Sequence, residues 1–343
     1  MDRVDPAIQT NPAVEKILLV RPDHLGDLLL TTPALHALRR GRPEAFISIV
    51  VGSWAASLLR GNPDVDEVIV CDLPWLVRSQ GGGWAAMGST LRRLRARRFD
   101  QIVSFRVAAK AALFSRLCGG GQRWGFDVAK SRWAWTHQVA YNWNGHVVDN
   151  YIDLVQAIGA SSVPPCFRLF PETADQGAVA AFIDDTPVVV LGVTAGHADK
   201  FWVPERWSAV GDHIAAAGFR VLIGGGPSEG EYVEAVRQGM RSAATSLVGT
   251  FDLLQFAGLL QRSFCLVTLD SFPMHLGAAV GVPLVALFGA TSSRQWGPYD
   301  TGRPRLVIEP PLEIPRSAAA MQWISVDHVI EGFDQIRAQV EAE

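Results

Sequence analysis

Hydrophobic and polar positions follow a repeating pattern along this chain. A short run of Val, Ile and Leu is followed by a polar loop, and then by a longer stretch with helical periodicity. In the first half the apolar runs are KILLVR (16–21), FISIVVG (46–52), EVIVCD (67–72) and DQIVSF (100–105). Helix-period stretches cover 27–39, 84–98 and 107–117. The apolar residues within each run are consecutive, not alternating, which predicts strands buried on both faces. Strands that alternate with helices predict βαβ units and a parallel sheet with right-handed crossovers.

The pattern breaks after a helix-period stretch at 146–160. SSVPPCFRLFPETADQG contains three prolines and has no periodicity, so it reads as a linker that carries a short helix into AVAAFIDD. Alternation then resumes, with strands expected at 187–196, 220–227, 245–249, 265–270 and 283–290. Helices are expected from Pro204, from Ser228, over 251–262, from Pro273 and over 326–342. The fold class this predicts is α/β, with two Rossmann-like parallel-sheet domains facing a cleft. The expected bounds are a flexible N-terminal arm over 1–15, a first domain over 16–165, a linker over 166–186, a second domain over 187–325 and a C-terminal helix over 326–343.

Composition narrows the class. At 343 residues, with 48% hydrophobic and 19% charged, the chain suits two buried-core domains. No apolar stretch reaches the roughly 20 residues that span a bilayer. The first fifteen residues also lack the basic start and apolar block of a signal peptide. Cys71, Cys118, Cys166 and Cys265 are scattered without a C-x-x-C pair, which predicts reduced thiols and a cytoplasmic compartment.

Charge is uneven. Residues 1–165 hold 19 Lys+Arg against 14 Asp+Glu, a net +5, while residues 166–343 carry a net −8. The basic half suggests an anionic partner, although much of the excess lies in LRRLRARR (91–98), whose spacing also suits a solvated helix face. No nucleic-acid module is present. The stretch 73–98, which mixes Trp75 and Trp84 with arginines, reads either as a peripheral membrane contact or as an acceptor-side loop and solvated helix.

Candidate chemistry sits in the loops after the apolar runs, where ligands bind in an open α/β sheet. RPDHLGDLLLTTPAL (21–35) places Asp23, His24 and Asp27 between the first strand and its helix. In the second half, Asp270 ends a strand and Ser271, Phe272, Pro273 and His275 start a helix. The exposed N–H groups of Ser271 and Phe272 would form an anion site. Taken singly, Asp270 reads as a cap and His275 as a packing residue; taken together they predict a ligand site. Lys200 lies in TAGHADKFWVPERW (194–207), where a lysine can neutralise a phosphate or simply face solvent. Glu229, in IGGGPSEGE (223–231), can accept from ribose hydroxyls or serve a helix start. Thr194 and Gly225 belong to these same loops and complete the nucleotide side. There is no Walker loop, and no G-x-G-x-x-G follows the first strand. The acid pair Asp64 and Asp66 reads as a turn, and no metal site is expected.

RPDHLGDLLLTTPAL, DKFWVPERW, IGGGPSEGE and LDSFPMHLGAAVGVPLVALFGAT resemble the heptosyltransferases of glycosyltransferase family 9, in the family's order over about 16–300. The resemblance implies the GT-B fold, with an acceptor-binding first domain and a donor-binding second domain. It implies an inverting transfer of heptose or a related sugar, from ADP-heptose in the first instance, to a hydroxyl of a glycan or glycolipid such as the lipopolysaccharide core. No metal or other cofactor would be needed. Asp27 matches the family's proposed catalytic base, Lys200 its phosphate-contacting lysine, Glu229 its ribose-contacting glutamate and Asp270 the aspartate near the donor sugar.

Asp23 and His24, with Arg21, fall on the acceptor side, where they assist, contact the acceptor or cap the turn. One departure is implied. The family usually reads Asp-Thr-Gly before the histidine helix, whereas this chain reads Asp270-Ser271-Phe272, which puts a bulky ring beside the diphosphate. Two other functions fit the same scaffold: a nucleotide-sugar epimerase or hydrolase, which would turn over donor without acceptor, and a non-catalytic binder of nucleotide sugar or glycan, which would show no turnover.

Overall fold

The computed structural model describes residues 14–76 and 83–343. Most of the expected N-terminal arm, and residues 77–82 of the Trp- and Arg-rich stretch, lie outside the described residues. The first half builds β1 (Lys16–Val20), α1 (Leu25–Gly41), β2 (Phe46–Val51), β3 (Glu67–Val70), α2 (Trp84–Ala96), β4 (Gln101–Ser104), α3 (Ala109–Leu117), β5 (Gln122–Phe126), β6 (His137–Val139) and α4 (Val147–Gln156). Helix α5 (Thr173–Ala180) lies in the linker.

The second half builds β7 (Val188–Gly192), α6 (Pro204–Ala216), β8 (Arg220–Gly224), α7 (Gly230–Gly239), β9 (Ala244–Ser246), α8 (Leu253–Gln261), β10 (Cys265–Leu269) and α9 (Phe272–Val280). It continues with β11 (Leu284–Leu287), α10 (Ser293–Trp296), β12 (Arg305–Ile308), α11 (Ala320–Trp323) and α12 (Val326–Glu341).

Each half is a six-stranded parallel sheet, ordered β3-β2-β1-β4-β5-β6 and β12-β11-β10-β7-β8-β9. The central strands are the apolar runs. In β1 everything after Lys16 is buried, and Leu19 pairs in register with Ile49 on one side and Val103 on the other. In both sheets the order reverses beside the first strand of the half. The crevice at that switch point, at the carboxyl ends of the strands, is where such sheets receive ligands.

Three strands had no counterpart in the sequence reading: β5, β6 and β12. β5 carries no apolar run, β12 has only three apolar residues after Arg305, and β6 is only His137-Gln138-Val139 and is largely exposed at a sheet edge. The linker helix runs into the first three residues of AVAAFIDD, as expected. It ends at Ala180 and opens on a capping box in which the Glu172 N–H donates to Asp175. Helix α12 packs on α6, β11 and β12, so it completes the second domain.

The halves are joined by specific polar contacts. The Arg60 guanidinium reaches Asp175 at 2.5 Å and Asp252 at 3.4 Å. Gln295 donates to the Tyr141 hydroxyl at 2.9 Å, and the Tyr299 hydroxyl donates to Asp149 at 2.8 Å. Asp64 pairs with Arg168 and His36, and Asp66 with Arg39, so the acid pair ties the first domain to itself and to the linker. No helix among the described residues is long and apolar enough to cross a membrane. All four cysteines are free; only Cys166 is exposed.

Candidate active site

The loop after β1 is built around a buried cation. Arg21 is 3% exposed, and its guanidinium stands against four groups. Nη2 lies 2.6 Å from Asp27 Oδ1 and donates to the Tyr151 hydroxyl at 2.5 Å. Nη1 donates to the Phe105 carbonyl at 3.0 Å, and Nε stands 3.3 Å from Asp23. The Asp23 carboxylate is also buried and meets Arg106 at 3.4 Å from the other side. Asp23 therefore locks the loop, while Asp27, in the first turn of α1, keeps an edge toward the cleft. His24 is exposed at the N-terminal end of α1 and makes no side-chain cap.

Burial raises the Asp27 carboxyl above its ordinary value of 3.8, and the nearby Asp23 pushes the same way; Arg21 pulls it back. The result is a carboxylate more basic than a free aspartate, oriented by a cation. Burial works against the charge on Arg21, but Asp23 and Asp27 outweigh it and hold that charge on more firmly than usual. Burial also pushes the Tyr151 phenol well above its usual range, so it stays protonated.

Across the cleft, β7 and β10 present the other wall. Lys200, in a 3₁₀ turn over Ala198–Lys200, donates to Asp270 Oδ2 at 2.6 Å and to its carbonyl at 3.3 Å. The Thr291 hydroxyl donates to the same carboxylate oxygen. Asp270 is 5% exposed, so these partners hold a buried charge in place. Helix α9 starts immediately afterwards, with Ser271 at its N-cap and no side-chain cap, and Pro273 in its first turn. Its leading N–H groups are therefore open toward the cleft. His275, one turn in, is buried and packs on the first domain: a β-carbon on Gly26 would sit 3.1 Å from its Cδ2. Burial lowers the pKa of this imidazole to about 4, so it is neutral at ordinary pH.

Two adjoining cavities occupy the crevice. The first, of about 420 Å³, is lined by His24, Gly26 and Asp27 from one domain and by Lys200, Asp270, Ser271, His275 and Thr291 from the other. The second, of about 310 Å³, lies deeper in the second domain, against Thr194, Gly224–Gly226, Glu229, Phe251, Asp252 and Phe256. Phe272 and Ser271 line both, so the phenylalanine expected beside a diphosphate stands at the junction of the two chambers.

The structure thus gathers Asp27, His24, Lys200, Asp270, Ser271, Phe272 and His275 around one chamber, and Thr194, Gly225 and Glu229 around the next. Glu229 also closes its own turn by accepting the Gly226 N–H at 2.7 Å. Arg21 and Asp23 lie behind Asp27 instead of lining either cavity. Sequence reasoning missed Tyr151, Arg106 and Thr291. Arg106 lies two residues past the end of β4, so the strand-end rule that found Asp27 points to it as well. Tyr151 carries no such signal, because it occupies an ordinary buried position of α4 and lies 130 residues from Arg21. Among the described residues no cluster of three or more His, Cys, Asp and Glu is arranged to hold a metal ion.

Two Rossmann-like parallel-sheet domains that face one cleft define the GT-B fold class. The sequence pattern of glycosyltransferase family 9 (heptosyltransferase) matches residues 87–307, and the chain belongs to this family. It is 27% identical over 286 residues to lipopolysaccharide heptosyltransferase 3 of Escherichia coli, covering 80% of this chain and 83% of that one. Its fold matches a family 9 glycosyltransferase from Veillonella parvula with a TM-score of 0.83 at 23% identity, over 95% and 98% of the two chains. It also matches an Escherichia coli heptosyltransferase solved with ADP, with a TM-score of 0.75 at 20% identity, over 94% and 99%.

Proposed function

We propose that this protein is an inverting, metal-independent transferase that moves heptose from ADP-heptose to a hydroxyl of a lipopolysaccharide-core acceptor on the cytoplasmic side of the membrane. The observation that carries the reading is that Asp27 and Lys200 face one chamber from opposite domains. The acceptor hydroxyl gives its proton to the Asp27 carboxylate as its oxygen attacks the anomeric carbon. The bond from that carbon to the diphosphate breaks on the opposite face, and ADP leaves with the electron pair.

Lys200 and the α9 start meet the growing negative charge on the leaving group, where fixed donors are most effective. The nucleoside occupies the second cavity, with Glu229 in reach of the ribose and Phe251, Phe256 and Phe272 supplying apolar wall. Arg106, half-buried beside Asp23, is available to an anionic acceptor group.

The donor assignment is tested by thermal shift with ADP, GDP, UDP and TDP, each with and without magnesium. A ligand at a hundredfold its Kd stabilises by about 2.7 kcal/mol. ADP is expected to shift the melting point with no help from magnesium. A response confined to another nucleotide, or one that requires magnesium, contradicts the proposal.

A further inference from the structure

Strand β2 lies next to β1, and the loop at its carboxyl end carries an indole in an unusual setting. Trp54 donates its Nε1–H to the Asp23 carbonyl at 2.9 Å, four residues before Asp27. Its ring lies over Gly52: a β-carbon there would come within 2.5–2.7 Å of ring atoms Cζ2, Cη2 and Cε2. The backbone beneath is fixed in turn, since the Ser53 N–H donates to Asp72 at 2.7 Å and the Ala55 N–H to the Gly52 carbonyl at 3.0 Å. The indole is thus clamped on one face and along its polar edge. It is nevertheless 37% exposed. No other ring of the described residues stacks on it.

This ring is held rigid beside the loop that carries Asp27. Rigid aromatic faces bind the C–H faces of sugar rings, because they bury apolar area with little loss of side-chain freedom. Building on the transferase reading, we propose that Trp54 is the stacking platform for a sugar ring of the acceptor, which sets that ring so that its neighbouring hydroxyl reaches Asp27. The sheet order supports this placement, since β2 and β1 are adjacent and both loops open at the same end.

The test uses the full chain, ADP-heptose, and a de-acylated lipopolysaccharide core oligosaccharide lacking its heptose, with steady-state kinetics for each substrate. Trp54→Ala should raise the acceptor KM at least tenfold while leaving the ADP-heptose KM within about twofold. Trp54→Phe, which keeps a π face and loses the N–H bond, should recover most of that loss. Gly52→Ala, at a φ of −74° that alanine accepts, should displace the ring and raise the acceptor KM too. An unchanged acceptor KM in Trp54→Ala overturns the platform, as does a Phe variant no better than Ala, which would make the N–H bond the whole effect. A parallel change in donor KM would mark a merely structural role and also overturns it. If the wild-type chain transfers nothing to this acceptor, the transferase reading fails and the platform falls with it.

Discussion

Arg21 and Asp27 form a buried ion pair at 2.6 Å in which only the carboxylate has access to the cleft. The arginine holds the acid from behind: it also donates to the Tyr151 hydroxyl and the Phe105 carbonyl, and it lines neither cavity. The pair sets both the direction and the basicity of Asp27. Burial raises the carboxyl and Arg21 restrains the rise.

The pH dependence follows from this pair. A base must be deprotonated to act, so transfer is lost as pH falls through the Asp27 pKa. That acid limb should lie above the 3.8 of an ordinary aspartate. Arg21→Gln removes the restraint and should move the limb to higher pH still. Profiles of kcat for both chains check this, and a limb that stays put or moves down contradicts it.

Among the described residues, Lys200 is the only lysine lining the first cavity. Charge-assisted hydrogen bonds contribute about 1.5–3 kcal/mol, so Lys200→Met should lower kcat/KM for the donor by about 30-fold. Acceptor KM should hardly change. Isothermal titration with ADP would show the same loss without turnover, and unaltered ADP affinity would remove Lys200 from the site.

His275 makes stability depend on pH. It is neutral in the folded chain down to about pH 4 but takes up a proton near 6.5 when unfolded. Its contribution is therefore present above pH 6.5 and is lost as pH falls toward 4. At roughly 1.4 kcal/mol per pH unit the loss approaches about 3 kcal/mol. His275→Gln should flatten the fall of the melting point over that window. An equal slope in both chains would contradict the assignment.

Helix α2 bears on membrane contact. Arg92, Arg93 and Arg95 are exposed along it, and Trp84 at its start is 68% exposed. With about 1 kcal/mol per basic residue near an anionic surface, replacing all three arginines by Gln should weaken binding to phosphatidylglycerol vesicles by about two orders of magnitude. Co-sedimentation measures this. If the wild-type chain does not bind at low salt, the helix is simply a solvated face.

How far the sequence could be read depended on locality. The central strands announced themselves because burial on both faces demands consecutive apolar residues, as in KILLV and CLVTL. Lys200 and Asp270 were legible because each follows such a strand. Strand β6 was not, because three residues need no apolar run to pair at a sheet margin. Nor was the Arg21–Tyr151 bond, since nothing local in α4 distinguishes a tyrosine that accepts from a guanidinium from one that only packs. Phe272 was visible as a departure from the family, but its position between two chambers came from the tertiary fold.

The central claim is that Asp27 is the base, and one paired measurement on Asp27→Asn tests it. General-base catalysis contributes on the order of 10²- to 10⁴-fold, so transfer from ADP-heptose should fall by at least a hundredfold. The thermal shift with ADP should match the wild type, because Asp27 lies on the opposite domain from Lys200 and the α9 start. Full transfer by Asp27→Asn would contradict the account outright. Loss of the ADP shift together with activity would contradict it as well, by showing that Asp27 holds the site together instead of taking the proton.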